Sequence, residues 1–392
     1  MKTRYTLLSV LVLLSLVLAA CAQATAAPAT EAPKPTEAPA TEVATEAPPV
    51  DPMAELVKLA QAEGELTVIA LPRDWANYGE VIDAFKAKYG IKVNELDPNA
   101  GSGDELQAIR ANKENKGPQA PDVIDVGLSF GPQAKDEGLL MPYKVSTWDT
   151  IPADLKDADG YWYGDYYGVL AFEINSTIVK NPPADWADLL KPEYKGQVAL
   201  SGDPRVSNMA ILTVYAASIA AGGSAENMAP GLEFFKSLNT AGNFVPVIAK
   251  PGTVANGETP ITIMWDYLAL GAKDTFAGNP EITVVVPSGA VVAGVYVQGI
   301  SAYAPHPNAA KLWMEFLYSD EGQLLWLKGY VHPIRYNDMA ARGVIPADLA
   351  AKLPPAELYT KAIFPTIAQQ TAIKEYIVAN WDTVVGVDVK AK

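Results

Sequence analysis

Three features of the 392-residue sequence predict an α/β fold, with a largely parallel sheet covered by helices. Between Leu66 and Val126, short β-branched runs alternate with segments of helical period, the pattern of strands joined by helical crossovers. The chain beyond Pro52 is long enough for two domains. No cysteine follows Cys21, so disulfides and thiolate metal sites are excluded from that body.

Leu56, Val57, Leu59 and Ala60 fall at helical spacing before Gly64, which suits a short helix with a glycine stop. Leu66–Ala70 reads as a buried strand, and a polar, aromatic loop follows it from Pro72 to Tyr78. Val81, Ile82, Phe85 and Tyr89 repeat at three and four residues and mark an amphipathic helix that stops at Gly90. Ile91–Val93 opens a second strand. The loop Asn99–Asp104 then precedes a helix carrying Leu106, Ile109 and Arg110, and Pro121–Val126 is a third strand. Further on, Tyr161, Trp162, Tyr163, Tyr166, Tyr167 and Phe172 crowd one stretch that ends in Glu173-Ile174-Asn175. A strand from Gln197 to Leu200 leads through the loop Ser201–Asn208 into an apolar helix reaching Ala221. Ile261–Trp265 and Ile282–Val286 are further strands, Asn308–Leu317 is a strongly periodic helix, and more helix follows Tyr330–Arg335.

The N-terminus has a different character. Lys2 and Arg4 precede an apolar run from Leu7 to Leu18, too short for a spanning helix and suited to a cleaved signal over residues 1–20. Leu18-Ala19-Ala20-Cys21 matches a bacterial lipobox; in the lipoproteins it resembles, this cysteine becomes the first residue and carries the lipid. Residues 21–52 are almost wholly Ala, Pro, Thr and Glu, with Thr-Glu-Ala-Pro repeats at Thr30, Thr36 and Thr45. Such a segment cannot bury enough apolar area to offset its ordering entropy, and its prolines favour an extended tether. The formal net charge is −15, of which the body carries near −13. That field makes nucleic acid and anionic lipid surfaces poor partners.

The body resembles the extracellular solute-binding proteins of ABC importers, in the type-II group that includes iron, thiamine, polyamine, phosphonate and sugar-phosphate binders. The resemblance lies in Leu66–Ala70 running into the helix Val81–Tyr89, in Pro121-Asp122-Val123 followed by Gly138-Leu139-Leu140, and in Gly168–Asn175. It continues through Trp186–Gly196, similar to the family's Trp-x-Asp-Leu-x-x-Pro-x-Tyr-Lys-Gly block, and through Pro305–Phe316 with Ser319, Glu321 and Gly322. It implies a two-lobed periplasmic-binding-protein type-II fold, with discontinuous lobes joined by hinge strands and a solute held in the cleft. Crossovers are expected near Phe172, near Val286 and after Arg335. Lobe one is then residues 53–172 plus 287–335, and lobe two residues 173–286 plus 336–392. The partners implied are a small-molecule solute, an ABC permease with its ATPase, and the membrane through lipid on Cys21. The protein is expected at the extracytoplasmic face of the cell membrane, as a monomer without cofactor or covalent chemistry.

Ligand groups should come from loops at the carboxyl ends of strands, which face a common crevice in such sheets. Arg73, Asp74, Trp75 and Asn77 follow the first strand; alternatively Asn77 caps the next helix and Trp75 packs. Gly101 and Ser102 open a helix whose free amides suit an oxyanion, or form an ordinary capped loop. Ser201, Asp203, Arg205 and Ser207 form a second anion-like site in which Arg205 could grip bidentately, against a solvated surface turn. Trp265, Asp266 and Tyr267 place aromatics beside a carboxylate, as an amine site does, or are core and cap. Glu173 and Tyr296 complete the set, against a surface carboxylate and a core aromatic. Both signs of charge are present, which suits a polar organic ligand of both characters, or a phosphorylated or hydroxylated one.

Other functions are weighed against this one. Iron binders of the resembled group use a neighbouring tyrosine pair plus His or Glu. Tyr166-Tyr167 precedes the crossover, and His306 and His332 are the only histidines, so no metal site is assigned and ferric iron is an alternative. No Gly-x-Ser-x-Gly elbow, His-Glu-x-x-His site or cysteine nucleophile supports an exported hydrolase. A sensory binding subunit would share the fold.

Overall fold

The structure is a computed structural model that describes residues 51–355, 359 and 361–391. The signal, Cys21 and most of the tether therefore lie outside the described residues. The first lobe begins with α1 (Pro52–Glu63). Asp51 caps it, accepting from Met53 N at 3.0 Å, and Gly64 ends it at φ +74°, a conformation that favours glycine. β1 (Glu65–Ile69), α2 (Tyr78–Tyr89), β2 (Lys92–Leu96), α3 (Ser102–Ala111), β3 (Val123–Gly127), α4 (Phe130–Asp136) and β4 (Leu140–Met141) follow in the expected alternation. β1 and β2 are parallel. β1 is joined to β3 by Asp122, whose N–H donates to Thr67 O at 2.9 Å while its carboxylate accepts from Thr67 N at 2.6 Å.

The long strand β5 (Tyr163–Asn175) links the lobes. Its first half pairs antiparallel with β10 (Ala293–Ser301), which in turn pairs antiparallel with β3. From Leu170 onward β5 pairs antiparallel with β8 (Ile261–Trp265) and β9 (Ile282–Val285). Lobe two adds β6 (Val198–Leu200), α5 (Asn208–Ala220), α6 (Ala229–Thr240), β7 (Phe244–Val245), α7 (Pro251–Ala255) and α8 (Asp266–Phe276). β6 runs parallel to both β7 and β8. Each lobe thus holds parallel strands and an antiparallel strand that arrives from the other lobe: β10 in the first, the end of β5 in the second. The expectation of a largely parallel sheet is corrected accordingly. Strands buried on both faces read as continuous apolar runs in either direction, so Ala293–Ser301 shows no orientation in its sequence.

The chain then returns to lobe one with α9 (Pro307–Leu317), α10 (Asp320–Lys328) and β11 (His332–Pro333), which pairs with β5. Glu63 sits at the N-terminus of α9 and accepts from Asn308 N and Ala309 N at 2.9 and 2.7 Å, where a carboxylate complements the helix dipole. Phe85 packs edge-on against Trp313 and Phe316 at 5.1 and 5.7 Å, joining α2 to α9. After α11 (Tyr336–Ala341) and α12 (Ala347–Ala350), α13 (Ile367–Val384) packs on α5 and α6 of lobe two.

The hinge relies on close approaches. A Cβ on Gly294 of β10 would lie 2.1 Å from the Trp265 ring, and one on Gly168 of β5 would lie 2.6 Å from the Asp266 carboxylate. Glycine at both positions lets the two crossing strands pass under α8.

Candidate functional site

Loops from the strand ends of both lobes meet in a cleft of two adjoining chambers. The inner one, about 120 Å³, is lined by Gly101 and Ser102 at the start of α3, by Ser207 and Asn208 at the start of α5, and by Asp125 and Tyr296. The outer one, about 660 Å³, is lined by Arg73, Asp74, Asn77, Glu173, Tyr267 and Tyr330, among others. Trp75, Asn99, Ser201, Met209 and Lys250 belong to both walls.

The lobes touch at the inner chamber. Gly103 N of α3 donates to Val206 O at 3.3 Å, and a Cβ on Gly127 would fall 2.0 Å from Asn208 Cγ. Gly101 precedes α3 as its cap position and its N–H donates to Asp104 at 2.9 Å, while Ser102 Oγ accepts from Gly127 N at 3.1 Å. Ser207 caps α5, its hydroxyl accepting from Ala210 N. First-turn amides of a helix have no intrahelical acceptor, so two helices from opposite lobes turn positive ends toward one small cavity. Lys250 stands beside them. Burial lowers its pKa, and it makes no ion pair among the described residues.

The floor is a buried acid–tyrosine network. Asp125 accepts from Tyr78 OH at 2.8 Å and Tyr166 OH at 2.6 Å, and the Tyr166 hydroxyl accepts from Trp75 Nε1 at 2.8 Å. Gln298 bridges Tyr78 and Asp165. Burial pushes Asp125 up to about 6, and burial together with the Asp125 charge raises Asp165 well above the usual carboxylate range. Burial likewise raises Glu105 well above the usual carboxylate range, with one oxygen accepting from Asp125 N at 2.9 Å.

The outer chamber holds a different kind of group. Glu173 is fully buried, neither of its oxygens has a hydrogen-bond partner among the described residues, and burial pushes its pKa up to about 8. The Tyr267 hydroxyl in the same wall also lacks a partner among those residues. Trp75 stands between the chambers, edge-on to Tyr267 at 6.0 Å and Tyr296 at 5.5 Å.

The predicted residues divide. Asp74, Trp75, Gly101, Ser102, Glu173, Ser201, Asp203, Ser207, Tyr267 and Tyr296 line the cleft. Arg73 lines it too, but its guanidinium is held by Asp83, by Glu95 at 3.0 Å and by Gly79 O. Asn77 is in the outer wall yet does not cap α2; its amide donates to Leu325 O at 2.9 Å. Three expectations are corrected. Arg205 is not in the cleft wall, because Asp203, Asp382 and Asp388 hold it at 2.7, 3.1 and 2.6 Å and tie the C-terminal segment to this loop. Trp265 is core, its ring over Gly294 and its Nε1 donating to Tyr296 OH at 3.3 Å. Asp266 is buried at the strand crossover, accepting from Val169 N at 3.0 Å and Tyr359 OH at 3.1 Å, and burial pushes it up to about 7.

Lys250 and Asp125 were missed. Lys250 follows β7, only two residues long, so its sequence gives no strand end to point to it. Tyr166 and Tyr167 point to opposite faces of β5, as alternation requires: Tyr166 joins the acid network and Tyr167 stacks on His332 at 4.2 Å. His332 lines neither chamber, and burial pushes it down to about 4. His306 leads into α9, with Nδ1 bonded to Asp122 at 2.9 Å. Among the described residues no three His, Cys, Asp or Glu side chains are grouped to hold a metal, and no helix is long and apolar enough to cross a membrane.

Two mixed-sheet lobes sharing crossing strands, with a polar cleft at their strand ends, define a two-lobed solute receptor. The chain belongs to the bacterial extracellular solute-binding proteins, whose family model matches residues 119–352. It is 30% identical over 264 residues to an uncharacterised protein of Haemophilus influenzae, covering 63% of this chain and 71% of that one. It is 26% identical over 262 residues to a putative 2-aminoethylphosphonate-binding periplasmic protein of Salmonella typhimurium, covering 63% and 70%. In fold it is similar to the periplasmic binding protein AfuA of Actinobacillus pleuropneumoniae, solved with fructose-6-phosphate: TM-score 0.63 at 22% identity, covering 82% of this chain and 99% of that one. As a member of this family it is a substrate-binding component of an ABC importer.

Proposed function

We propose that this chain is a monomeric, non-enzymatic receptor, anchored by lipid on Cys21, that closes on a small solute bearing a compact oxyanion. The oxyanion occupies the inner chamber. The supporting observation is the convergence of the α3 and α5 N-termini, one from each lobe, on a cavity of about 120 Å³ that Lys250 also lines. Liquid water occupies about 30 Å³ per molecule, so the space suits one tetrahedral or planar oxyanion rather than a whole sugar. The four carboxylates of the wall do not oppose it. Asp104 is turned to the Gly101 amide, Asp203 is paired with Arg205, Glu105 accepts from Asp125 N, Asp125 accepts from Tyr78 and Tyr166, and burial shifts both Glu105 and Asp125 toward the neutral acid.

The strand pairings support the division into residues 53–172 plus 287–335 and residues 173–286 plus 336–392, since β5 changes partners just after Val169. Closure then brings both helix ends onto the same anion, and the closed form is what a permease would recognise. The test is titration calorimetry with ethyl phosphate against ethanol and ethylamine, on the wild type and on Lys250→Gln. Binding confined to the phosphate, and weakened about tenfold or more by Lys250→Gln, is expected for a half-buried charge-assisted contact. Binding of ethylamine alone would sink the oxyanion assignment. Turnover of the phosphate ester would sink the non-enzymatic one.

A further inference from the structure

We infer that Glu173 recognises a cationic ammonium group on the same solute whose oxyanion enters the inner chamber, so that the cleft selects small amino-oxyanions. The inference rests on the oxyanion reading above. Glu173 lies in the half of β5 that belongs to lobe two, opposite Thr262 of β8 and Val284 of β9. It lines the outer chamber, is 0% exposed, and leaves both oxygens without a donor among the described residues. The nearby hydroxyl of Thr262 is already given to Thr259 O at 3.0 Å. Met209, Met264, Leu268 and Ala249 supply apolar wall. A buried polar group without a partner costs about 1–3 kcal/mol, more if charged, and nothing among the described residues recovers that at Glu173.

The other charged groups of the wall do not serve it. Arg73 is held by Asp83 and Glu95, and Lys328 by Glu80. On α8, Asp274 accepts from Tyr330 OH and faces Lys352. Lys250, which leads into α7, and Asp74 make no ion pair with Glu173, whose raised pKa comes from burial alone. A cation must therefore arrive with the ligand. An ammonium offers three donors to two waiting oxygens, and its bonds are charge-assisted in an apolar surround. A second anion would be repelled. Because Lys250 and Ser201 belong to both walls, one short molecule can place its anion inward and its ammonium outward.

The proton balance follows. With its pKa near 8, the Glu173 carboxyl is protonated at neutral pH before the ammonium arrives. Ammonium binding favours the carboxylate, so the acid proton leaves to buffer as the ion pair forms. Affinity for an amine-bearing ligand should therefore fall as pH drops below about 8, while affinity for the same anion without the amine should not share that dependence.

The experiment is titration calorimetry of the full chain with phosphoethanolamine and with ethyl phosphate, in two non-phosphate buffers of different ionisation enthalpy. Phosphoethanolamine is expected to bind about tenfold or more tightly than ethyl phosphate, and to release up to about one additional proton. Glu173→Gln, which keeps the shape and removes the charge, should abolish both differences. Equal affinity of the two ligands for the wild type would overturn the Glu173 inference and leave the oxyanion reading standing. So would a Glu173→Gln protein that keeps the preference. Tight binding of 1,3-diaminopropane with none of either phosphate would overturn the oxyanion reading instead. Failure of all three ligands to bind would overturn both.

Discussion

Adding one methyl group at Gly127 should separate closure from folding. Gly127 ends β3 in lobe one, and a Cβ there would lie 2.0 Å from Asn208 Cγ and 2.3 Å from its Oδ1, across the cleft in lobe two. Asn208 is the first residue of α5 and is buried, so it cannot swing aside without moving the helix start. Gly127 is not among the positive-φ residues, so alanine meets no backbone strain there. The cost therefore falls on bringing the lobes together. Overpacking of this kind costs about 1–3 kcal/mol, which converts to affinity weakened by about 5- to 150-fold. The assay pairs calorimetric affinity for phosphoethanolamine with the melting temperature of the ligand-free protein. Gly127→Ala should lower the first and leave the second within a degree or so. The double variant Gly127→Ala/Asn208→Ala should recover most of the affinity. Unchanged affinity, or a ligand-free protein destabilised as much as the affinity falls, would refute the view that this contact forms on closure.

Three further outcomes are expected. Arg205→Ala should weaken phosphate affinity only indirectly, by unpairing Asp203 in the inner wall, and cost about 1–2 kcal/mol of stability in denaturant unfolding, since its three ion pairs are only partly buried and screened by solvent. Glu173 has a folded pKa raised above its unfolded value, so its contribution is fully present below about 4.5 and is lost as pH rises toward about 8. In ligand-free protein Glu173→Gln should remove a decline of up to about 1.4 kcal/mol per pH unit in that window, measured by thermal unfolding from pH 5 to pH 8. Cys21→Ser should move the protein from the membrane fraction to the soluble fraction in its host, checked by fractionation and by mass spectrometry of the N-terminal peptide.

Much of lobe one was legible because its signals are local. The period of Val81, Ile82, Phe85 and Tyr89 and the stop at Gly90 give α2, which the structure shows as Tyr78–Tyr89. Strand ends likewise carry Trp75, Ser102, Ser201 and Tyr267 into the cleft wall. What failed depended on distant partners. Arg205 follows a strand as an anion-binding arginine would, but its carboxylates at Asp382 and Asp388 lie about 180 residues further along and are brought to it only by packing α13 on lobe two. Trp265 and Asp266 sit at a strand end too, yet glycines at positions 294 and 168 open room for them under the hinge. Nothing near residue 265 reports those glycines. Glu173 was legible as a residue but not as a site, because burial without a donor exists only once β8, β9 and α8 have closed around it.

Hydrogen–deuterium exchange across the whole chain, with and without millimolar phosphoethanolamine, tests most directly whether one solute is gripped by both lobes. Slowed exchange should appear together at the start of α3 and in the Ala70–Tyr78 loop of lobe one, and at Ser201–Met209 and Lys250–Val254 of lobe two. Protection confined to one lobe, or lying away from these four segments, would contradict an interlobe cleft that closes on its ligand.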